Sequence, residues 1–260
     1  MSSTSFRLSL VLTVAVGALQ GCAARRAGLI AQTGGFPHSQ QQSSPAQLVH
    51  SWNEWADEHL RDGDIVFMRG DGYILMGTVN FSKVSTDITD SRFSHVGLIA
   101  IDDGHAYVYD IRNDGTHRTR FGELLADRHL HEVAIKRLRD ISPDALAGIA
   151  EFCRGLHDRD EKFDIDLKLD NGRMYCSEMV EVAYRAFGHP LSEPVPINQL
   201  PNYGQHPQAI QFVRALTRIE PDQLVLLPGN ERFGIWSNPE LDLILDLPDV
   251  KAPPPVILDR

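Results

Sequence analysis

The segment SHVGL at residues 94–98 precedes the segment YCSEM at residues 175–179 along the chain. A cysteine thiol becomes a strong nucleophile when a nearby base removes its proton, and histidine is the usual base. The two segments supply one of each, His95 and Cys176, with the histidine first. A site of this kind is defined by the geometry and roles of its residues, and either chain order can build it. The histidine-first order is therefore the feature that most reduces the number of folds to consider.

His95 begins a predicted β-hairpin whose strands cover residues 96–101 and 106–111. Asp103-Gly104 is typical of a two-residue turn, which pairs residue 102 with residue 105. A four-residue loop that closes residue 101 on residue 106 gives the same register, whereas a three-residue loop would turn Asp110 to the other face. In the predicted register His95, Gly97 and Asp110 share one face, and His95 and Asp110 are diagonal neighbours roughly 7 Å apart. Asp110 is therefore the candidate that orients the imidazole.

Cys176 begins a predicted helix that runs to residue 187, before the stop signal Gly-His-Pro. At a helix N-terminus the free N–H groups and the dipole favour a thiolate and a developing oxyanion. Tyr175 is a candidate substrate-binding residue, and a core tyrosine is the alternative. Glu178 lies in the first helical turn, where a structural role is expected. Cys153 falls on an apolar helical stripe, so Cys176 is the expected reactive thiol.

Composition indicates an ordinary globular protein. The chain has 260 residues, of which 42% are apolar and 23% charged, and one domain over residues 47–250 is the economical interpretation. Strands and helices are mixed without regular βαβ alternation, which favours the α+β class. The net charge of −10 argues against a nucleic-acid partner, which a basic surface would have to bind.

Further local patterns predict other elements and argue against a cofactor. Helices are expected over residues 51–60 and 142–156, strands over 64–68 and 132–138, and a polar loop over 162–173; residues 73–92 are ambiguous, and residues 200–250 give no usable match. The pair His129 and His131 has no further ligand at a suitable spacing, so no metal site is expected. P-loop and dinucleotide-binding fingerprints are absent from the sequence.

The N-terminus predicts export and a membrane anchor. Arg7 precedes an apolar run at residues 8–19 that is too short to span a bilayer and is typical of a signal peptide. The segment LQGC at residues 19–22 resembles a bacterial lipobox, which implies a signal peptide over residues 1–21 and a lipidated Cys22. By the same resemblance Ala23 implies sorting to the outer membrane, facing the periplasm. An ordinary signal cut after Ala23 or Ala24 is the alternative. Residues 22–46 are the predicted flexible tether and residues 251–260 a proline-rich tail.

Four segments together resemble a known family: LRDGDIVF at residues 60–67, FSHVG at 93–97, VYD at 108–110 and YCSEMV at 175–180. They are similar to the permuted NlpC-type papain-like family, often called YiiX/YebB-like, in which the order of cysteine and histidine is reversed relative to papain-like enzymes. The resemblance covers about residues 58–190. It implies a circularly permuted papain-like α+β fold, with an antiparallel sheet packed against helices, and a triad of Cys176, His95 and Asp110. Family members usually carry glutamate at the position of Asp110.

The leading functional hypothesis is a cell-envelope cysteine peptidase or amidase that cleaves peptidoglycan stem peptides. One alternative keeps the chemistry but takes a lipid as substrate, as in the related lecithin retinol acyltransferase-like proteins, which move acyl groups. Another alternative is a non-catalytic binding lipoprotein. The expected partners are therefore a peptide or lipid substrate and the membrane that holds the lipid anchor.

Overall fold

A six-stranded antiparallel sheet forms the centre of the protein. The structure is a computed structural model that describes residues 44–74 and 79–255. Its strands are β1 (Ile65–Gly70), β2 (Tyr73–Ile74), β3 (Val79–Asn80), β4 (His95–Asp102), β5 (His105–Arg112), β6 (Gly115–Arg120), β7 (Leu130–Leu138), β8 (Val195–Pro196), β9 (Leu224–Val225) and β10 (Leu241–Leu247). The central sheet has the strand order β10-β7-β1-β4-β5-β6, and two short strand pairs, β2 with β3 and β8 with β9, lie outside it.

Helices cover both faces of this sheet. They are α1 (Pro45–His59), α2 (Phe81–Thr89), α3 (Phe121–Leu125), α4 (Pro143–Asp158), α5 (Cys176–Arg185) and α6 (Pro207–Leu216), with 3₁₀ turns at Ile197–Gln199, Tyr203–Gln205 and Ile235–Ser237. Helices α4 and α5 pack against β4 on one face, and α1 packs against β5 and α3 on the other. The predicted α+β class, with an antiparallel sheet packed against helices, is confirmed.

Alternation along the strands builds the two faces of the core. In β4, Val96 and Leu98 pack into the cluster that contains α4 and α5, whereas Ile99 packs into the cluster that contains α1 and α3. Successive strand side chains point to opposite faces, so one strand serves both cores. Strand β1 does the same, with Phe67 on one side and Val66 on the other. This double coverage fixes the position of β4, which begins at His95.

A third, smaller apolar cluster lies outside the two sheet cores. It joins α2, α6 and the segments around residues 197–203 and 219–227, through buried residues such as Ile88, Ile197 and Val225. Most of this cluster comes from residues 200–250, for which no usable sequence match was found. The region also supplies β10, which pairs with β7 at the edge of the central sheet.

Several element boundaries differ from the sequence predictions. Helix α1 begins at Pro45, inside the predicted tether, because Ser44 caps it by accepting a hydrogen bond from the Gln47 N–H in a complete capping box. The ambiguous segment contains β2, β3 and α2, and β6 was not predicted. At the other end, the Trp52 indole N–H donates to the Ala252 carbonyl over 2.9 Å. The beginning of the predicted tail is therefore part of the folded domain.

The predictions for the N-terminus fall outside the described residues. These are the signal peptide at residues 1–21, the lipidated Cys22 and the tether up to residue 43. Within residues 44–74 and 79–255, none of the helices combines the length and the hydropathy that crossing a bilayer requires.

Candidate active site

The β4–β5 hairpin brings His95 and Asp110 into contact. Its turn is the predicted Asp103-Gly104 pair, with Asp102 opposite His105 and positive φ at both turn residues, as a type I′ turn requires. The His95 Nε2–H donates to Asp110 Oδ2 over 2.6 Å. The predicted register is confirmed, although the β4–β5 pairing ends before it reaches these two residues.

Gly97 makes room for this contact. A Cβ atom at position 97 would lie 3.1 Å from the Asp110 Cβ and 2.7 Å from the Tyr109 carbonyl oxygen. Both distances are shorter than the separation that packed atoms normally keep. Glycine at this position therefore lets Asp110 pack directly beside β4, at the end of the strand where His95 begins.

Cys176 is the first residue of α5, as predicted. The residue before it, Tyr175, forms no side-chain cap with the described residues, in contrast to Ser44, Asn80 and Ser142, whose side chains cap α1, α2 and α4. The first N–H groups of a helix have no acceptor within the helix. At the start of α5 these donors and the helix dipole are left to stabilise negative charge at Cys176.

The electrostatics of the pair favour a thiolate and an imidazolium. Because Asp110 engages Nε2, Nδ1 is the ring nitrogen of His95 that remains for the thiol. Burial lowers the pKa of His95, but the negative Cys176 sulfur and the bond to Asp110 outweigh it and raise this pKa to about 10. Burial raises the pKa of Cys176, whereas the charge and hydrogen bond of His95 lower it, and the net pKa lies below the usual value. Proton transfer between the two groups is therefore favoured before any substrate binds.

Asp110 also accepts a second hydrogen bond, which was not predicted from the sequence. Arg112 Nε–H donates to Oδ2, the same oxygen that His95 binds, over 2.6 Å. The Asp110 side chain is fully buried, and burial raises its pKa, but His95 and Arg112 together hold the pKa below its usual range. The sequence carried a signal for this contact, since residues 110 and 112 of one strand share a face.

Tyr175 connects the start of α5 to the wall of the cleft. Its hydroxyl accepts a hydrogen bond from the Leu226 N–H over 2.7 Å, and its side chain is buried. The segment at residues 225–228 lines the cleft beside Tyr175. Through this contact Tyr175 holds the segment at residues 225–228 next to the start of α5. Its role in substrate binding stays a prediction.

His95 and Cys176 both line a cleft of about 350 Å³. The walls come from the segments around residues 68–73, 81–85, 111–114, 124–130, 163–167 and 225–228. Gln223 lies just before the segment at residues 225–228 and connects it to the segment at residues 163–167. Its side-chain amide donates to the carbonyls of Asp166 and Leu167. Part of the region without a sequence match therefore shapes the candidate site.

Buried carboxylates hold the loop that leads to Cys176. Asp164 accepts hydrogen bonds from the N–H groups of Asp166 and Lys168 and from the Asn171 side chain. Glu178 is also buried; its Oε1 accepts from the Asp170 N–H over 3.2 Å, while Oε2 has no hydrogen-bond partner among the described residues. Burial raises the pKa of Glu178 to about 7. These contacts are structural, as expected for Glu178.

The part of the sequence that contains these site residues matches one known family. Residues 59–200 match the model of the permuted papain-like amidase enzymes of the YaeF/YiiX type, the C92 peptidase family. The match covers more than half of the chain and includes His95, Asp110 and Cys176.

The chain belongs to this family. Membership makes it a papain-like amidase, which is a hydrolase, and it confirms the resemblance seen in the four sequence segments.

A solved structure shows the same fold. The chain is similar to the crystal structure of the metalloprotein YiiX from Escherichia coli O157:H7, with a TM-score of 0.59 and 20% sequence identity, over 72% of this chain and 98% of that one. No curated protein matches the chain significantly.

The described residues of this chain do not fit a metal ion. Among them, no group of three His, Cys, Asp or Glu side chains is arranged to hold one. His131, from the histidine pair considered in the sequence, instead contacts Asp71, with Nε2 3.2 Å from Oδ2.

Proposed function

We propose that this protein is a cell-envelope cysteine amidase that cleaves amide bonds of peptidoglycan stem peptides. The observation that carries the proposal is the His95–Asp110 hydrogen bond of 2.6 Å, next to a thiol at a helix N-terminus. In this proposal Cys176 is the nucleophile, His95 the general base and acid, and Asp110 the residue that orients His95.

The reaction proceeds in two halves. The Cys176 sulfur attacks the amide carbonyl carbon, with its proton held by His95, and a tetrahedral oxyanion forms. His95 then gives the proton to the leaving nitrogen, the C–N bond breaks, and a thioester remains on Cys176. A water molecule, deprotonated by His95, attacks the thioester and releases the carboxylic acid and the free thiol. The N–H of Cys176, at the start of α5, is one candidate donor to the oxyanion.

The proposed location follows from the N-terminal sequence. Lipidation of Cys22 would hold the domain at the periplasmic face of the outer membrane, where stem peptides are the nearest abundant amides. The substitution Cys22→Ser tests this step separately, by moving the protein from the membrane fraction to the soluble fraction. Recovery of the variant in the membrane fraction would contradict the lipid anchor and leave the chemistry untouched.

Product analysis tests the substrate. Purified protein is incubated with muropeptides and, in parallel, with phospholipid vesicles, and the products are identified by mass spectrometry. Cleaved stem peptides from the wild type, with none from the Cys176→Ala variant, are the expected result. Cys153→Ala is the matched control, because this second buried cysteine lies in the core between α4 and the sheet, and its variant is expected to keep full activity per folded molecule.

An apolar cavity favours a lipid substrate as the second candidate. The cavity, of about 90 Å³, shares Phe81, Leu167, Val225 and Leu227 with the wall of the catalytic cleft and lies over the third apolar cluster. An apolar pocket that adjoins the catalytic cleft suits an acyl chain, which would make the protein an acyl hydrolase or acyltransferase. Release of fatty acid from the vesicles, with intact muropeptides, would establish this alternative.

A non-catalytic binding role predicts a different result. In that case neither substrate is converted, and Cys176 resists iodoacetamide at neutral pH. Rapid alkylation of Cys176 with no turnover of either substrate would instead retain the proposed chemistry and reject both substrates.

A further inference from the structure

Arg112 is an arginine in the catalytic cleft to which the proposed mechanism gives no task. It is the last residue of β5, lines the cleft with His95 and Cys176, and has a side chain that is 31% exposed. Its Nε–H donates to Asp110 Oδ2, and within the described part of the chain Asp110 is the only hydrogen-bond partner of its side chain. Arg137 and Arg185 also pair with fully buried carboxylates, Asp64 and Glu181. The carboxylate that Arg112 binds differs from these two because it also accepts a hydrogen bond from His95.

The geometry at Asp110 is what gives Arg112 its importance. Two donors, His95 Nε2–H and Arg112 Nε–H, converge on one oxygen at 2.6 Å each, whereas Oδ1 is buried without a partner among the described residues. A buried carboxylate pays a large desolvation cost for its charge unless it is paired. Without Arg112, His95 would be the remaining partner of this charge, and the carboxyl group would be free to rotate its unpartnered oxygen toward His95.

We infer that Arg112 is a positioning residue, which holds Asp110 ionised and fixed against His95 and so extends the triad by a fourth member. The inference rests on the proposed roles of Cys176, His95 and Asp110. It goes beyond them because neither the family match nor the triad assigns a role to Arg112.

Removing this positive charge has a defined direction of effect. A nearby cation favours the deprotonated form of every neighbouring group, so its loss makes Asp110, Cys176 and His95 hold their protons to higher pH. Two other charged groups act on Arg112, namely Asp114 and Asp127. Both are acidic, and both are unchanged in the variants. A purely structural role of Arg112 would change thermal stability and leave the pH dependence of Cys176 where it is.

The test is the rate of Cys176 alkylation by iodoacetamide as a function of pH, which needs no substrate. For Arg112→Met we expect the midpoint of the acid limb to rise by about one pH unit, which is the order of size expected when one positive charge is removed from a partly buried site. Arg112→Lys keeps the charge and should stay within a few tenths of a unit of the wild type. Arg112→Gln carries the same expectation as Met and is measured if the Met variant does not fold.

Arg118→Met is the matched control. Arg118 also binds an aspartate, Asp102, with a nearly equal exposed fraction of 32%, but Asp102 lies at the opposite end of β4 from His95. This variant should leave the profile unchanged.

A double-mutant cycle shows whether Arg112 acts through Asp110. In the Asp110→Asn background, Arg112→Met should raise the midpoint by less than it does in the wild type. Equal midpoints for the wild type, Arg112→Met and Arg118→Met, or a shift by Arg112→Met that is the same with and without the Asp110 carboxylate, would overturn the inference. A wild-type Cys176 that reacts only above the usual thiol pKa would instead count against the proposed function itself.

Discussion

At the scale of single residues, one carboxylate oxygen organises the site. Asp110 Oδ2 accepts from both His95 and Arg112, and the Asp110 side chain is fully buried. The contact of 2.6 Å shows that the short side chain of aspartate is long enough at this position to reach His95. Gly97 explains this reach, because it lets the Asp110 backbone and Cβ approach β4 closely.

Asp110→Asn separates the charge of Asp110 from its shape. The amide can still accept a hydrogen bond from His95, but the loss of the negative charge lowers the pKa of His95 from about 10. We expect activity to fall by about 10- to 100-fold and to remain measurable, and the alkaline limb of the rate profile to move to lower pH. The measurement is kcat/KM between pH 5 and pH 11 on the substrate identified by mass spectrometry. Unchanged activity and an unchanged alkaline limb would remove Asp110 from the triad.

At the scale of secondary-structure elements, the hairpin and the helix start could be predicted because their signals are local. The Asp-Gly turn fixes the register of β4 with β5, and alternation then places His95 and Asp110 on one face. The helix over 143–158 and the helix from Cys176 also begin where the sequence indicates. The start of α1 was missed because its capping box lies in a polar, glutamine-rich stretch that resembles a linker.

Gly97→Ala tests how the hairpin supports the site. The added methyl group would press on the Tyr109 carbonyl and the Asp110 Cβ, so β5 must shift away from β4 at this point. We expect the free energy of unfolding to fall by about 1–3 kcal/mol. At a temperature where the variant is still fully folded, its activity should nevertheless be lower than that of the wild type.

Gly204→Ala is the control for this experiment. A Cβ at position 204 meets no atom within 4 Å, so thermal unfolding and activity should match the wild type. If Gly97→Ala behaves like Gly204→Ala, the close approach at position 97 has no part in the function.

At the scale of the whole molecule, the two cores on the sheet faces and the third apolar cluster determine where the cleft lies. Helix α5 packs against β4 through residues such as Met179 and Val180, which are fully buried. The segment at residues 225–228 closes the other side and is tied to the start of α5 by Tyr175. The cleft is thus assembled from parts of the chain that are far apart in sequence.

The burial of Glu178 makes the stability of the molecule depend on pH. Its pKa is about 7 in the folded protein, against a usual value of 4.5, so between these values the unfolded chain ionises while the folded one does not. The free energy of unfolding therefore falls by up to about 3 kcal/mol as pH rises from about 4.5 to about 7. Above about pH 7 this group lowers it no further.

Glu178→Gln removes this dependence. The amide can still accept from the Asp170 N–H, so the variant should resemble the wild type near pH 4.5 and be more stable at pH 8, as measured by urea unfolding at both pH values. Glu151→Gln, which removes a charge from a side chain that is 78% exposed, is the control and should change neither value. A Glu178→Gln variant that is no more stable than the wild type at pH 8 would show that Glu178 is ionised in the folded state at little cost.

The sequence by itself determined the features that depend on near neighbours in the chain: the hairpin register, the helix start at Cys176, and the family resemblance carried by four short segments. Tertiary structure decided the rest. The partnership of Arg112 with Asp110, the bond from Leu226 to Tyr175 and the apolar cavity beside the cleft all depend on how side chains pack in three dimensions. Turn chemistry and strand alternation act over a few residues, whereas burial and the sharing of one carboxylate oxygen arise only after distant segments have packed together.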